Sequence, residues 1–263
     1  MAASLTIATY NVNGVNGRLP RLLEWLRETS PDVACLQELK TDDTKFPAKA
    51  LEIAGYGAIW HGQRAHHGVA ILAKDGAPRE RRRGLPGDPD DKHTRYLEAE
   101  VKGVVVASVY LPNGNPVPSP NFDYKLRWFD RLIDHSRTLV ASKEPVVLAG
   151  DLNVVPTDFD IYNAWWWRHD AVMQPEARDA WRRLLDAGWI DAVRRIHPDQ
   201  RMYSYWVNEN AFRQDKGFRL DFLLANATAA ARLRQAGVDR EHRARDKPSD
   251  HTPVWITLGQ EAA

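Results

Sequence analysis

The apolar residues of this 263-residue chain fall in short runs, and most of those runs stop at a carboxylate or a carboxamide. Ser4–Tyr10 runs into Asn11, Val33–Leu36 into Gln37-Glu38, and Pro145–Ala149 into Gly150-Asp151-Leu152-Asn153, while Asp250-His251 stands just ahead of Val254–Leu258. Apolar runs this short are of strand length, not helix length. Such a chain must build sheets, and it must present its polar groups at strand ends, where a rigid scaffold holds reactive side chains.

Helical periods alternate with these runs. Leu19, Leu22, Leu23 and Leu26 recur at i, i+3, i+4 and i+7, and Pro31 closes that helix; Phe122–Ala141 repeats the pattern through Leu126, Phe129, Leu132 and Ile133. Pro175–Ala187 places Ala177, Ala180, Trp181, Leu184 and Leu185 on one face. Further strands are expected at Gly68–Lys74, Arg95–Val101, Gly103–Leu111, Met202–Val207 and Arg219–Ala225, with Lys102-Gly103 turning a hairpin. The proline-rich stretch Pro112–Pro120 reads as a loop. Strands outnumber helices, some adjacent and some alternating with helices, which favours layered sheets flanked by helices over a bundle or a pure barrel.

Length alone allows one large domain or two small ones. With 43% apolar residues the chain can bury a sizeable core, and 36 basic against 35 acidic residues announce no polyanion partner by net charge. The bias toward arginine leaves phosphate recognition open, although a GC-rich genome explains it as well. Cys35, the single cysteine, lies within an apolar run and reads as a buried thiol. No stretch approaches the roughly 18 apolar residues of a membrane span, and Met1–Thr9 lacks a basic segment followed by an apolar core, so a soluble cytoplasmic protein is expected.

Taken together, the strand-end residues are three carboxylates (Glu38, Asp151, Asp250), two carboxamides (Asn11, Asn153) and the imidazole of His251. Oxygen donors of this kind suit a hard divalent cation such as Mg²⁺, with Mn²⁺ as a substitute, whereas zinc would want more His or Cys. Singly, each also reads as a turn residue or a helix cap.

Six ordered motifs carry a resemblance: Ile7-Ala-Thr-Tyr-Asn-Val-Asn-Gly14, Leu36-Gln-Glu-Leu-Lys40, Val109-Tyr-Leu-Pro-Asn113, Leu148-Ala-Gly-Asp-Leu-Asn-Val154, Phe218-Arg-Leu-Asp221 and Ser249-Asp-His-Thr-Pro-Val254. In order and spacing the chain resembles the exonuclease III family of the endonuclease/exonuclease/phosphatase superfamily. The resemblance implies an α/β fold, a four-layer sandwich of two mixed sheets packed face to face and flanked by helices, as one domain over residues 1–263. It also implies a Mg²⁺-dependent DNA repair nuclease that works as a monomer. That enzyme degrades duplex DNA from 3′ ends, cleans blocked 3′ ends and incises 5′ to abasic sites.

The resemblance further implies residue roles. Glu38 matches the principal metal ligand, with Asn11 and Asp250 close to the same ion, and Asp151, Asn153 and His251 belong to the same metal and catalytic group. Asp151 matches the residue that orients or deprotonates the attacking water, and Asn153 bonds across the site. His251 matches a phosphate-contacting histidine held by Asp221, and Tyr110 a phenol that donates to the phosphate or the leaving group. Asn113 falls at a phosphate contact, and Tyr205-Trp206, Phe218 and Leu220 at the wall of a pocket for an extrahelical abasic sugar.

Other features are open in function. Trp165-Trp-Trp167 cannot all face a core, so an outward indole is expected, for stacking on DNA or for lining the site loop. Arg79–Arg83 reads either as a phosphate track or as a solvated basic run, and Asp88–Lys92 as a polar loop. His66-His67 has no assigned role. The same polar set would serve other phosphoester hydrolases of the superfamily, such as a sphingomyelinase, an inositol-polyphosphate phosphatase or a deadenylase, but Tyr110 and Phe218–Asp221 favour the nuclease. A catalytically silent binding module would have lost a ligand, and none is missing.

Overall fold

A computed structural model describes residues 4–259, so the ends of the expected 1–263 domain, and residues 1–3 of the leader segment considered above, lie outside the described residues. Among the described residues, twelve strands form two six-stranded sheets. The first contains β1 (Leu5–Asn11), β2 (Val33–Gln37), β3 (Tyr56–His61), β4 (Val69–Lys74), β11 (Leu233–Val238) and β12 (Val254–Leu258), in the order β11-β12-β1-β2-β4-β3. The second contains β5 (Arg79–Arg83), β6 (Tyr96–Val101), β7 (Val104–Tyr110), β8 (Val146–Asp151), β9 (Ile190–Asp191) and β10 (Asp221–Ala225), in the order β5-β6-β7-β8-β10-β9. One central pair in each sheet is parallel, β1 with β2 and β7 with β8, and the rest are antiparallel, so both sheets are mixed.

Period-two alternation assigns the layers. On β1 and β2, Ile7, Val33 and Cys35 face the second sheet, while Ala8, Tyr10, Ala34 and Leu36 face outward onto α1 (Leu19–Thr29) and α2 (Ala48–Ile53). On β7, Val104 and Val106 enter the shared core, and Val105, Ala107 and Val109 face α3 (Pro120–Val140) and α4 (Pro175–Asp186). The expected four-layer α/β sandwich is therefore the observed fold. Cys35 is buried as expected.

Two registers matter for the site. Tyr110 pairs with Asp151 across the parallel strands and Asp221 pairs with the same Asp151 across the antiparallel ones, so three side chains from β7, β8 and β10 arrive at one edge. Gly150 makes the approach possible: a Cβ there would lie 1.8 Å from the Val109 carbonyl oxygen.

One expectation needs correction. Met202–Val207 forms no strand, because its aromatic residues serve loop packing, and Tyr205 makes only isolated bridges to Phe218 and His251. The basic run 79–83 is the exposed edge strand β5, and its arginines pair with carboxylates: Arg79 and Arg81 with Glu100, Arg81 also with Glu144, and Arg83 with Glu80. These ion pairs agree with the alternative of a solvated basic run. Among the described residues, no helix is long and apolar enough to cross a membrane.

Candidate active site

The two sheets end together at a cavity of about 250 Å³, lined by Glu38, Tyr110, Asn113, Asp151, Asn153, Trp167, Asp170, Val172, Tyr205, Phe218, Leu220, Asp250 and His251. Strand ends supply the polar side of this cavity, and the loops 153–172 and 205–220 supply its apolar side. Four residues at the strand exits hold left-handed backbone without being glycine: Asn13 (φ 45°), Glu38 (φ 53°), Lys40 (φ 50°) and Asn153 (φ 43°). Such conformations are sparsely populated and concentrate where the surroundings over-determine a functional geometry.

Asp151 is the hub. Its Oδ1 accepts from the Asn153 backbone N–H at 2.9 Å, and its Oδ2 accepts from Asn11 Nδ2 at 3.0 Å and lies 3.8 Å from His251 Nε2. Burial drives its pKa up, against the opposing charge of His251. His251 Nδ1 pairs with Asp221 Oδ2 at 2.7 Å, and both residues are buried. Burial favours the neutral imidazole, but the carboxylates of Asp221 and Asp151 outweigh it and raise the pKa to about 10. The two carboxylates thus hold the ring toward its protonated, doubly donating form.

Asn11 lies beside the Asp151 carboxylate. It is fully buried behind the cavity, its Nδ2 spent on Asp151 and its Oδ1 accepting from the Asn13 backbone N–H at 3.0 Å. Asn153 accepts from Asn113 Nδ2 at 3.1 Å and donates to the Leu111 carbonyl at 3.0 Å, so it links two loops across the floor. Tyr110 donates to Glu38 Oε1 at 2.6 Å, and burial together with the charges of Glu38 and Asp151 pushes its pKa well above the ordinary phenol range. It is held as a donor. Glu38 stays ionised, because bonds from Lys40 and Tyr110 overcome the desolvation that would raise its pKa.

On the apolar side, Phe218 meets Tyr205 and Trp167 edge-on, at centroid separations of 5.5 and 4.8 Å, and Tyr205 lies 4.8 Å from the His251 ring. Trp206, expected in this wall, is not part of it. It has no exposed surface and packs against Tyr203 and Phe212. Adjacent residues in extended backbone point to opposite sides, so placing Tyr205 in the cavity sends Trp206 into the core. Of the tryptophan triplet, Trp167 lines the cavity while Trp165 and Trp166 stand exposed at 68% and 62%.

Two lysines were not assigned roles from sequence. Lys40 Nζ lies 2.7 Å from Glu38 Oε2 and 2.6 Å from Asn13 Oδ1, and Asn13 Nδ2 in turn bonds Asp250 Oδ1 at 2.9 Å. Lys125 on α3 is fully buried beneath the site and donates to the backbone carbonyls of Asn113 and Asn153. Its signal was legible: it precedes Trp128 and Phe129 by three and four residues, which puts a charge inside an apolar stripe.

The oxygen donors are of the kind that suits a divalent cation, but among the described residues no three His, Cys, Asp or Glu side chains converge to enclose one. The carboxylates of Glu38, Asp151, Asp170 and Asp250 line one small cavity with His251, while Asp221 stands behind that ring and Lys40 beside Glu38. That excess of negative charge would repel an anionic substrate. The Lys40 ammonium already shows that positive charge is held between Glu38 and the Asn13–Asp250 pair.

Carboxylates, a buried histidine and an aromatic wall at one edge of a two-sheet α/β sandwich suit hydrolysis of a phosphoester. The chain belongs to the Endonuclease/Exonuclease/phosphatase family, whose model matches residues 8–251. It is 32% identical to exodeoxyribonuclease III of Haemophilus influenzae, over 94% of this chain and 97% of that one. A solved AP endonuclease from Archaeoglobus fulgidus superposes with a TM-score of 0.92 at 32% identity, covering 97% of this chain and 99% of that one. The 3′ phosphatase NExo from Neisseria, solved bound to a product DNA hairpin, superposes at 0.93 with 37% identity, covering 97% and 100%.

Proposed function

We propose that this protein is a divalent-metal-dependent DNA repair nuclease. It hydrolyses phosphodiesters at 3′ ends of duplex DNA and 5′ to abasic sites, and it acts as a monomer with the whole chain forming one catalytic domain. The observation that carries the reading is the pairing, in one cavity, of a charged half (Glu38, Asp151, Asp250, His251) with an apolar half (Tyr205, Phe218, Leu220). An apolar wall suits a deoxyribose without its base, and the charged half faces its phosphate.

Glu38 and Asp250 are the residues that would hold the metal, Mg²⁺ or Mn²⁺ by the hardness of their oxygens. When bound, the ion supplies charge neutralisation for the phosphate and for the leaving 3′ oxygen. His251, charged and fixed by Asp221, binds a non-bridging phosphate oxygen. Asp151, whose affinity for a proton burial has raised, orients and deprotonates the attacking water. Tyr110 donates from its phenol to the phosphate or the departing oxygen. Asn153 and Asn113 keep the phosphate in register, and the wall excludes a base-bearing nucleotide by size.

The test is incubation with a duplex bearing one abasic analogue and, separately, with a recessed 3′ end, each with Mg²⁺, Mn²⁺ or EDTA. Metal-dependent cutting of both is expected. Cutting of neither, with a phosphomonoester or lipid headgroup hydrolysed instead, would move the protein to another branch of the family.

A further inference from the structure

A second, larger cavity of about 680 Å³ adjoins the catalytic one and shares Asp250 as a wall. It lies between the loop after β1, the short helix Glu209–Arg213 and the segment 243–248. Five cations line it, Arg18, Arg213, Arg243, Arg245 and Lys247, against three carboxylates, Glu209, Asp246 and Asp250. Two of the cations are already neutralised, Arg213 by Glu209 and Arg245 by Glu24 and Glu28. Among the described residues, no carboxylate pairs with Arg18, Arg243 or Lys247. Arg18 instead fixes the cavity wall by donating to the Pro248 and Asn13 carbonyls.

Arg243 is the unusual member. Only 5% of its surface is exposed, its Nε has no partner, and its one hydrogen bond, to the Trp206 carbonyl, is long at 3.4 Å. A buried guanidinium ordinarily carries a carboxylate, because desolvating it alone is costly. Here, among the described residues, no carboxylate bonds to the guanidinium; the Phe212 ring lies 5.3 Å from it, and the cavity lies beside it. Giving Asp250 to the metal would leave the cavity more positive still.

We propose that this cavity is a subsite for a backbone phosphate of the bound duplex, next to the scissile one, with Arg243 as its buried anchor and Lys247 at its rim. The proposal rests on the nuclease reading and adds to it a place where the strand is gripped outside the reacting centre. A planar guanidinium matches a phosphate's paired oxygens, and the Lys247 ammonium adds a second positive charge to the cavity lining.

The test measures binding of a duplex with one abasic analogue in EDTA, across about 50 to 200 mM salt, by fluorescence anisotropy. Each phosphate contact contributes about 0.9 to the slope of log K against log salt. Arg243→Gln and Lys247→Gln are each expected to lower the slope by about that amount and to weaken binding severalfold, while Arg243→Lys recovers part of it. Lys247 is exposed, so its variant keeps the test open if Arg243→Gln fails to fold. Arg79→Gln, on the ion-paired edge strand, is expected to leave the slope alone.

Unchanged slopes in folded Arg243 and Lys247 variants overturn the subsite, as does an equal fall in the Arg79 variant, which would mean a general field effect. Inorganic phosphate that stabilises the wild type but not Arg243→Gln, with unchanged DNA slopes, replaces the strand by a free anion and also overturns it. A wild-type chain that binds no duplex overturns the nuclease reading together with the subsite, and so is distinguishable from failure of the subsite alone.

Discussion

Replacing Asp221 by Asn tests how far the site depends on a charged His251. The Asp221 carboxylate is 1% exposed, accepts from His251 Nδ1 at 2.7 Å through Oδ2, and leaves Oδ1 without a partner, so its negative charge is balanced almost entirely by that one ring. Asn is isosteric and can still accept from Nδ1 through its carbonyl oxygen. The fold should therefore survive while the charge is lost. A hydrogen bond to a charged group contributes about 1.5 to 3 kcal/mol. If that stabilisation reaches the phosphate as its charge develops, cleavage should slow by about 10- to 150-fold at about 1.36 kcal/mol per decade. Single-turnover incision of an abasic duplex gives the rate, anisotropy in EDTA gives the affinity, and a melting curve confirms folding. A rate within about threefold of wild type, or a loss fully matched by weaker binding, would refute the argument that Asp221 acts through the charge on His251.

Three further outcomes follow from the same geometry. Lys125→Met leaves the buried carbonyls of Asn113 and Asn153 without their donor, each costing about 1–3 kcal/mol. We expect kcat to fall about tenfold or more with little change in KM, and an unaltered kcat would remove Lys125 from any positioning role. Gly150→Ala drives a Cβ to 1.8 Å from the Val109 carbonyl oxygen, so β7 and β8 must part. Urea denaturation should show a loss of about 3 kcal/mol or more, and a loss below about 1 kcal/mol would mean the strands yield freely. Asp160 is held below the ordinary carboxylate range because Arg219 and Arg194, each at 2.7 Å, outweigh the effect of its burial. A depressed folded pKa stabilises the protein above the unfolded value of about 3.9, and that contribution is lost as pH falls through the folded value. The gap in Tm between wild type and Asp160→Asn should narrow on acidification below about pH 4, whereas a constant gap would contradict it.

Much of the site was legible because its residues sit at the ends of short apolar runs, where strand geometry dictates that side chains leave the core. Glu38 after β2 and Asp151 closing β8 follow from this rule and need no knowledge of the sheets, whereas Tyr110, closing β7, came only from the resemblance of its motif. The hairpin at Lys102-Gly103 was equally local, with both residues in left-handed backbone. The tolerant places were long-range. Tyr205 and Trp206 are equivalent as aromatic neighbours in sequence, and only the bridges of Tyr205 to Phe218 and His251 decide that the first enters the cavity and the second the core.

Charge bookkeeping divides the same way. Arg79–Arg83 and the Arg243–Lys247 segment look alike as basic clusters. The first is matched by glutamates from β6 and the loop before β8, while the second keeps a buried arginine with no carboxylate beside it. From sequence alone, the alternation of apolar and polar residues determined the layers of this protein and the chemistry available at its strand ends, because both depend on neighbours a few residues away. Tertiary structure alone decided which imidazole sits between carboxylates, which indole is buried and which arginine, among the described residues, has no bonded carboxylate, because each depends on groups that register brings together from distant parts of the chain.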